Sequence, residues 1–116
     1  MSDSPEFTVR AAPAAGGTAV IEIRGDIDGS AKVSLPLAYS DAVSSGEPGN
    51  VLLDFTDVGY INSTGIAVIV GVLALARAER RTISAAGLSE HYRHIFTITR
   101  LVDFIQLVDS PTASAQ

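Results

Sequence analysis

Cysteine is absent from this chain of 116 residues, which removes any disulfide framework and any thiolate site. Basic residues are in deficit, eight Lys and Arg against thirteen Asp and Glu, for a formal net charge of −5. Sequence-independent nucleic-acid binding needs a basic footprint, so no direct nucleic-acid partner is expected. The apolar run that starts at Ile66 falls far short of the roughly 20 residues a membrane span requires. No basic leader precedes an apolar segment, so no secretory signal is expected. These absences describe a soluble, cytoplasmic chain. Its length suits one domain, spanning 1–116 with a core from about 6 to 108 and loose tails at 1–5 and 109–116. Such a chain can bury a core without metal or cofactor, and none is expected.

What is present centres on Tyr60-Ile61-Asn62-Ser63-Thr64-Gly65-Ile66. Before it, Val51 to Phe55 is an apolar run of strand length. After it, Ile66 to Arg77 is too long for a typical strand and reads as a helix. Asn, Ser and Thr cap helices because their side-chain oxygens accept bonds from the free N–H groups of the first turn. Ser63 therefore sits near a helix N-terminus, where unpaired donors and the positive end of the dipole meet. It can be read simply as the cap. It can also be read as a phosphate acceptor, since a phosphoryl group adds roughly −1.5 to −2 charge and remakes any partner surface built there.

Along the chain, Glu6 to Ala11 reads as a strand and Ala12 to Gly17 as a loose hairpin connection. Thr18 to Arg24 is a β-branched strand, and Gly25 to Ser30 a turn followed by a cap. A helix is expected over about 31–44, with Val33, Leu37, Ala38 and Val43 as its apolar stripe. Pro36 suggests a bend, or a start nearer Leu35. The strand through Phe55 follows, and Thr56 to Gly59 reads as a loop. Thr82 to Ala86 is a strand closing at Gly87. Ser89 caps a helix carrying Tyr92, Ile95 and Phe96, and Phe104 to Val108 is the last strand.

The helix after Ser63 has two apolar stripes, Ile66, Ile69, Val70 and Leu73, then Val68, Val72 and Leu75. The second must be covered by neighbouring helices or by a partner. Arg77, Arg80 and Arg81 at its far end read as dipole complement and solvation. His91 and His94, three apart and without acidic company, read as surface residues, and no metal site is expected. The order strand, strand, helix, strand, helix, strand, helix, strand implies an α/β fold. Its mixed sheet has about five strands, with parallel crossovers, an antiparallel opening edge and helices mainly on one face.

Gly25-Asp26-Ile27-Asp28 after the second strand and Asn62-Ser63-Thr64-Gly65-Ile66-Ala67 before the central helix resemble the STAS domain, more narrowly the bacterial anti-sigma-factor antagonists. The likeness runs from about Phe7 to Val108. Gly87-Leu88-Ser89, Ile95-Phe96 and Leu101 fall where the family has its third helix and following turn. The resemblance implies that Ser63 is phosphorylated by a partner anti-sigma factor with a histidine-kinase-like ATPase fold. It implies that the unmodified form binds that partner, and that a PP2C-type phosphatase resets the switch. Asp26, Asp28, Asn62, Ser63, Thr64, Gly65, Ile66 and Val68 would form the contact surface. Asp54 and Asp57 would add to the charge around a phosphate if the loops converge.

Two positions depart from the family pattern. Asn62 stands where the family has Asp, keeping a capping oxygen and dropping a charge. Arg100 stands where Gly is common. A non-phosphorylated STAS scaffold in a stress-signalling or lipid-transport complex is the alternative. Catalysis is not expected: Ser63 lacks the Gly-x-Ser-x-Gly elbow, and the one lysine, Lys32, follows no phosphate-cradling loop.

Overall fold

The computed structural model describes residues 7–15, 17–44 and 46–109. The tails expected at 1–5 and beyond Asp109 lie outside them, as does Glu6 at the expected start of the first strand. Among the described residues, five strands form one sheet in sequence order: β1 (Thr8–Ala15), β2 (Thr18–Ile27), β3 (Asn50–Ile61), β4 (Thr82–Ala86) and β5 (Gln106–Val108). The first pair is antiparallel and the other three are parallel. Helices α1 (Ala31–Ser44), α2 (Ser63–Ala78) and α3 (Glu90–Ile98) provide the crossovers, giving the mixed sheet the sequence predicts.

Alternation decides which face is covered. Ile21 and Ile23 of β2, Val51, Leu53 and Phe55 of β3, and Ile83 and Ala85 of β4 are buried in one cluster with the helices. Their neighbours Glu22, Asp54 and Ser84 point the other way and are only half-buried. The core is closed at α3 by an edge-on Phe55–Phe96 pair with ring centroids 6.2 Å apart.

Several expected boundaries move. β1 does not stop at Ala11 but runs to Ala15, and Ala15 pairs with Thr18, so the expected loose connection is a tight turn with Gly17 at φ 84°. Pro13 is tolerated because β1 is an edge strand whose register shifts between Ala12 and Ala15. β2 and β3 each run on through stretches expected to be turn and loop. Arg24, Gly25, Asp26 and Ile27 pair with Asp57, Val58, Tyr60 and Ile61, across two register shifts. Gly25, at φ 86°, makes that continuation possible. Bulges increase local twist and re-aim side chains, and here they lie just ahead of the central motif.

Helix α1 begins at Ala31 despite Pro36, and its buried face is only in part the expected one. Ala38 and Val43 are buried as expected, joined by Ala31, Leu35, Tyr39 and Ala42, whereas Val33 and Leu37 are 68% and 58% exposed. Alanines outweigh the larger residues because they let the helix lie close to its neighbours, and Tyr39 supplies the volume. Its hydroxyl donates to Glu79 Oε1 at 2.6 Å, tying the middle of α1 to the end of α2.

Helix α2 buries Gly65, Ile69, Val72, Leu73 and Ala76, a face drawn from both expected stripes. Ile66 and Val68 are half-buried, while Val70 and Leu75 are each 42% exposed. The last strand is shorter than expected. Leu101–Asp103 form a 3-10 turn, Phe104 and Ile105 donate their N–H groups back to Leu101 O, and pairing starts only at Gln106. Arg100 enters that turn at φ 65°. Only glycine visits this region without cost, so an arginine here carries some backbone strain.

Candidate functional site

The C-terminal ends of β2 and β3 meet the starts of α1 and α2. Asn62 joins them: its N–H donates to Ile27 O at 3.1 Å, and its side-chain Oδ1 accepts from Gly65 N–H at 2.8 Å. Asn62 is extended (φ −89°, ψ −179°) and is the N-cap of α2. Ser63 is therefore not the cap. It is the first helical residue, exposed, and its hydroxyl makes no hydrogen bond among the described residues. Of the two readings of Ser63, the one that makes it simply the cap is set aside, because the residue before it has already taken the role.

Gly65 is buried where α2 crosses the end of β2. A Cβ there would lie 2.7 Å from the Ile27 carbonyl carbon and closer still to its oxygen. Its part is to let the helix start approach the strand. On the other side, a Cβ on Gly29 would rest 3.5 Å from Thr64 Cγ2, so the turn before α1 runs directly past the first turn of α2. Thr64 itself is exposed; Ile66 and Val68, half-buried, follow on the next turn.

Asp26 and Asp28 both arrive here. Asp26 pairs in register with Tyr60, and its Oδ1 lies where a Cβ on Gly59 would be 3.2 Å away. Asp28 Oδ1 accepts from the Ser30 hydroxyl at 2.6 Å and the Ser30 N–H at 2.9 Å. Those two bonds, the hydroxyl first, hold its carboxyl below the usual aspartate value. Asp54 and Asp57 do not join them. Asp54 accepts from Thr56 and Asp57 faces Arg24 at 3.6 Å. Both lie back along β3, Asp54 by seven residues before Ile61, or roughly 20 Å at strand spacing.

The surface is thus an exposed hydroxyl at the positive end of a helix, with Asp26 and Asp28 carried on the adjoining end of β2 and the turn before α1. No imidazole or carboxylate hydrogen-bonds that hydroxyl among the described residues, and His91 and His94 are exposed on α3. Such an arrangement leaves the oxygen accessible, with no hydrogen-bonded base among the described residues to activate it.

The family model described as "Mlab, STAS domain" matches residues 11–109. The chain belongs to the STAS domain family. An anti-sigma-B factor antagonist from Bacillus subtilis (strain 168) is 31% identical over 88 residues, 75% of this chain and 78% of that protein, and this STAS domain groups with the anti-sigma-factor antagonists. The solved structure of the anti-sigma factor antagonist SpoIIAA in its unphosphorylated form superposes with a TM-score of 0.72 at 18% identity, covering 93% of this chain and 94% of the other. The phosphorylated form of SpoIIAA gives 0.70 at 18% identity, covering 93% and 97%. These two matches speak to the fold.

Within this STAS domain, one residue at the site escapes a reading by motif. Tyr60, 56% exposed, stands opposite Asp26 on the outward side of β3, while Ile61 turns into the core. Strand alternation carried through Gly59 would have found it. The intervening stretch looks like loop because Thr-Asp-Val-Gly is turn chemistry. Beneath, the Tyr92 hydroxyl of α3 accepts from Ile61 N–H at 2.8 Å and reaches Ile61 O at 3.4 Å. α3 thereby fixes the strand end on which Asn62 depends.

Proposed function

We propose that this STAS domain is a phosphorylation-controlled, protein-binding switch in the cytoplasm, with Ser63 as the acceptor. The observation that carries it is the exposed, unbonded hydroxyl of Ser63 beside a cap supplied by Asn62. Its partner is an anti-sigma factor with a histidine-kinase-like ATPase fold. The partner docks on Asp26, Asp28, Ser63, Thr64, Ile66 and Val68, while Asn62 and Gly65 set the shape of that surface. In the modifying step Ser63 Oγ attacks the γ-phosphorus of ATP bound to the kinase, ADP leaves, and the hydroxyl proton passes to a base of the kinase. Hydrolysis by a PP2C-type phosphatase returns the hydroxyl. The chain itself is a substrate and a ligand, not an enzyme.

The effect on binding follows from charge. A phosphoryl group on Ser63 is tolerated by the helix dipole but stands beside Asp26 and Asp28. At a contact surface it adds repulsion and desolvation, and an unpaired interfacial charge weakens binding by roughly 2–5 kcal/mol. That is enough to release a complex of modest affinity.

Incubation with a cognate kinase and ATP, read by intact mass and peptide mapping, tests the assignment. One phosphoryl group on Ser63 is expected, with none on Ser63→Ala. The unmodified chain and Ser63→Ala should bind the anti-sigma factor, and Ser63→Asp should bind it more weakly. Equal binding by the two variants would leave the complex independent of charge at this position.

A further inference from the structure

A second feature lies at the opposite end of α2, about 14 residues from Ser63, or roughly 21 Å along the helix. There a trough of about 550 Å³ separates α2 from the Leu101–Asp103 turn and β5. A smaller apolar recess of about 190 Å³ adjoins it, and the two share Leu73, Arg77 and Phe104. The recess is walled by Val70, Leu73, Ala74, Leu101 and Phe104, with only the Arg77 side chain bringing charge to it. Val70 and Phe104 are 42% and 51% exposed. Together the two compartments fall within the roughly 300–1,000 Å³ typical of small-molecule sites.

The charge at its mouth is unusual for this molecule. Arg10, Arg24, Arg81, Arg93 and Arg100 each sit beside a carboxylate. Among the described residues Lys32, Arg77 and Arg80 have no carboxylate partner, and two of these three line the trough. The one acid in its lining, Asp103, is already held by Arg100 at 3.1 Å. Arg77 lies over the Phe104 ring, 4.8 Å from its centroid, so its guanidinium is placed where the apolar recess opens into the wider trough. Arg81 is occupied by Pro48 O at 2.9 Å and by Glu79. Dipole complement at the helix end accounts for one cation there; it does not account for an apolar recess built against the same side chain.

We infer that this trough binds an anionic amphiphile, a single-chain carboxylate of the fatty-acid class, with its head on Arg77 and Arg80 and its tail along Leu73, Val70 and Phe104. Two unpaired guanidinium groups in a chain of net charge −5 select an anion, and the apolar recess selects a tail. Neither feature alone selects an amphiphile. The site lies at the other end of α2 from Ser63, and its test does not depend on the proposed switch.

The test is an amide-resolved NMR titration of the full chain with sodium laurate kept below its micelle concentration. Butyrate supplies the same head without the tail, and dodecyl maltoside the tail without the charge. Saturable shifts are expected at Leu73, Arg77, Phe104 and Ile105, with both controls at least about tenfold weaker. Arg77→Gln/Arg80→Gln should weaken laurate about tenfold with the rest of the spectrum unchanged, and Ala74→Phe should fill the recess and compete with the tail. No saturable shift, shifts centred on Val33 and Leu37 of α1, equal affinity for the uncharged amphiphile, or indifference to the arginine substitutions would each overturn it.

Discussion

Gly65 lies so close under Ile27 that an added Cβ would sit 2.7 Å from the Ile27 carbonyl carbon. That carbonyl oxygen also accepts the Asn62 N–H at 3.1 Å, so one peptide group anchors both the cap and the first turn of α2. Gly65→Ala must push α2 away from β2 and loosen the bond to Asn62. Overpacking of this kind costs about 1–3 kcal/mol. Urea denaturation should show that loss, and binding of the anti-sigma factor should fall further than stability alone accounts for, because Ser63 and Thr64 move with the helix.

Asn62 allows the capping role and the effect of a charge at that position to be tested apart. Asn62→Ala removes the acceptor for Gly65 N–H and should cost about 1 kcal/mol. Asn62→Asp keeps that acceptor and adds an anion at a helix N-terminus, a gain of about 0.3–1 kcal/mol at low salt. Thermal melts of the three proteins in low and high salt check both signs, since only the Asp gain should shrink as salt rises. Ser63→Ala, at an exposed position without a side-chain hydrogen bond, should leave the melt within about 0.5 kcal/mol.

Tyr92 tests whether α3 holds the site from below. Its buried hydroxyl accepts from Ile61 N–H at 2.8 Å. Tyr92→Phe keeps the ring in the core and leaves that N–H without a partner, at a cost of about 1–3 kcal/mol. Hydrogen exchange should localise the effect, with the Ile61 amide losing protection more than amides in the middle of β3.

How much of this was legible in the sequence depends on which signal each element carries. α2 and α3 were readable because a capping residue precedes an apolar run at helical spacing, and β4 because a β-branched start and Gly87 bound it. The extensions of β2 and β3 were not. Gly25 and Gly59 are turn residues in isolation, and only the pairing of Asp26 with Tyr60 and Ile27 with Ile61 makes the segments strand. Tertiary pairing overrode local propensity there. The face of α1 was read correctly at Ala38 and Val43 but not at Val33 and Leu37, which outweigh alanine in hydropathy, while close packing favours Ala31 and Ala42. Ser63 was placed correctly at the helix start, but its freedom from capping depended on Asn62, one residue away. Two adjacent residues of equal capping talent cannot be ordered without the backbone.

Tyr39 gives the fold a pH dependence at its alkaline end. The side chain is 2% exposed and donates to Glu79 Oε1 at 2.6 Å. Burial first, then that hydrogen bond to a carboxylate, push its phenol up from 10.0 to about 12. The folded chain therefore holds the Tyr39 proton to higher pH than the unfolded chain does. Between pH 10 and 12 the folded state binds more protons, so stability falls as pH rises. The contribution is complete below pH 10 and lost as pH passes through about 12, with a size of about 3 kcal/mol. Urea melts at pH 9 and pH 11.5 should separate the wild type from Tyr39→Phe. The variant lacks the titrating group and the bond to Glu79, so it should start lower at pH 9 and lose less on going to pH 11.5. A parallel decline of the two proteins would assign the alkaline loss to other groups.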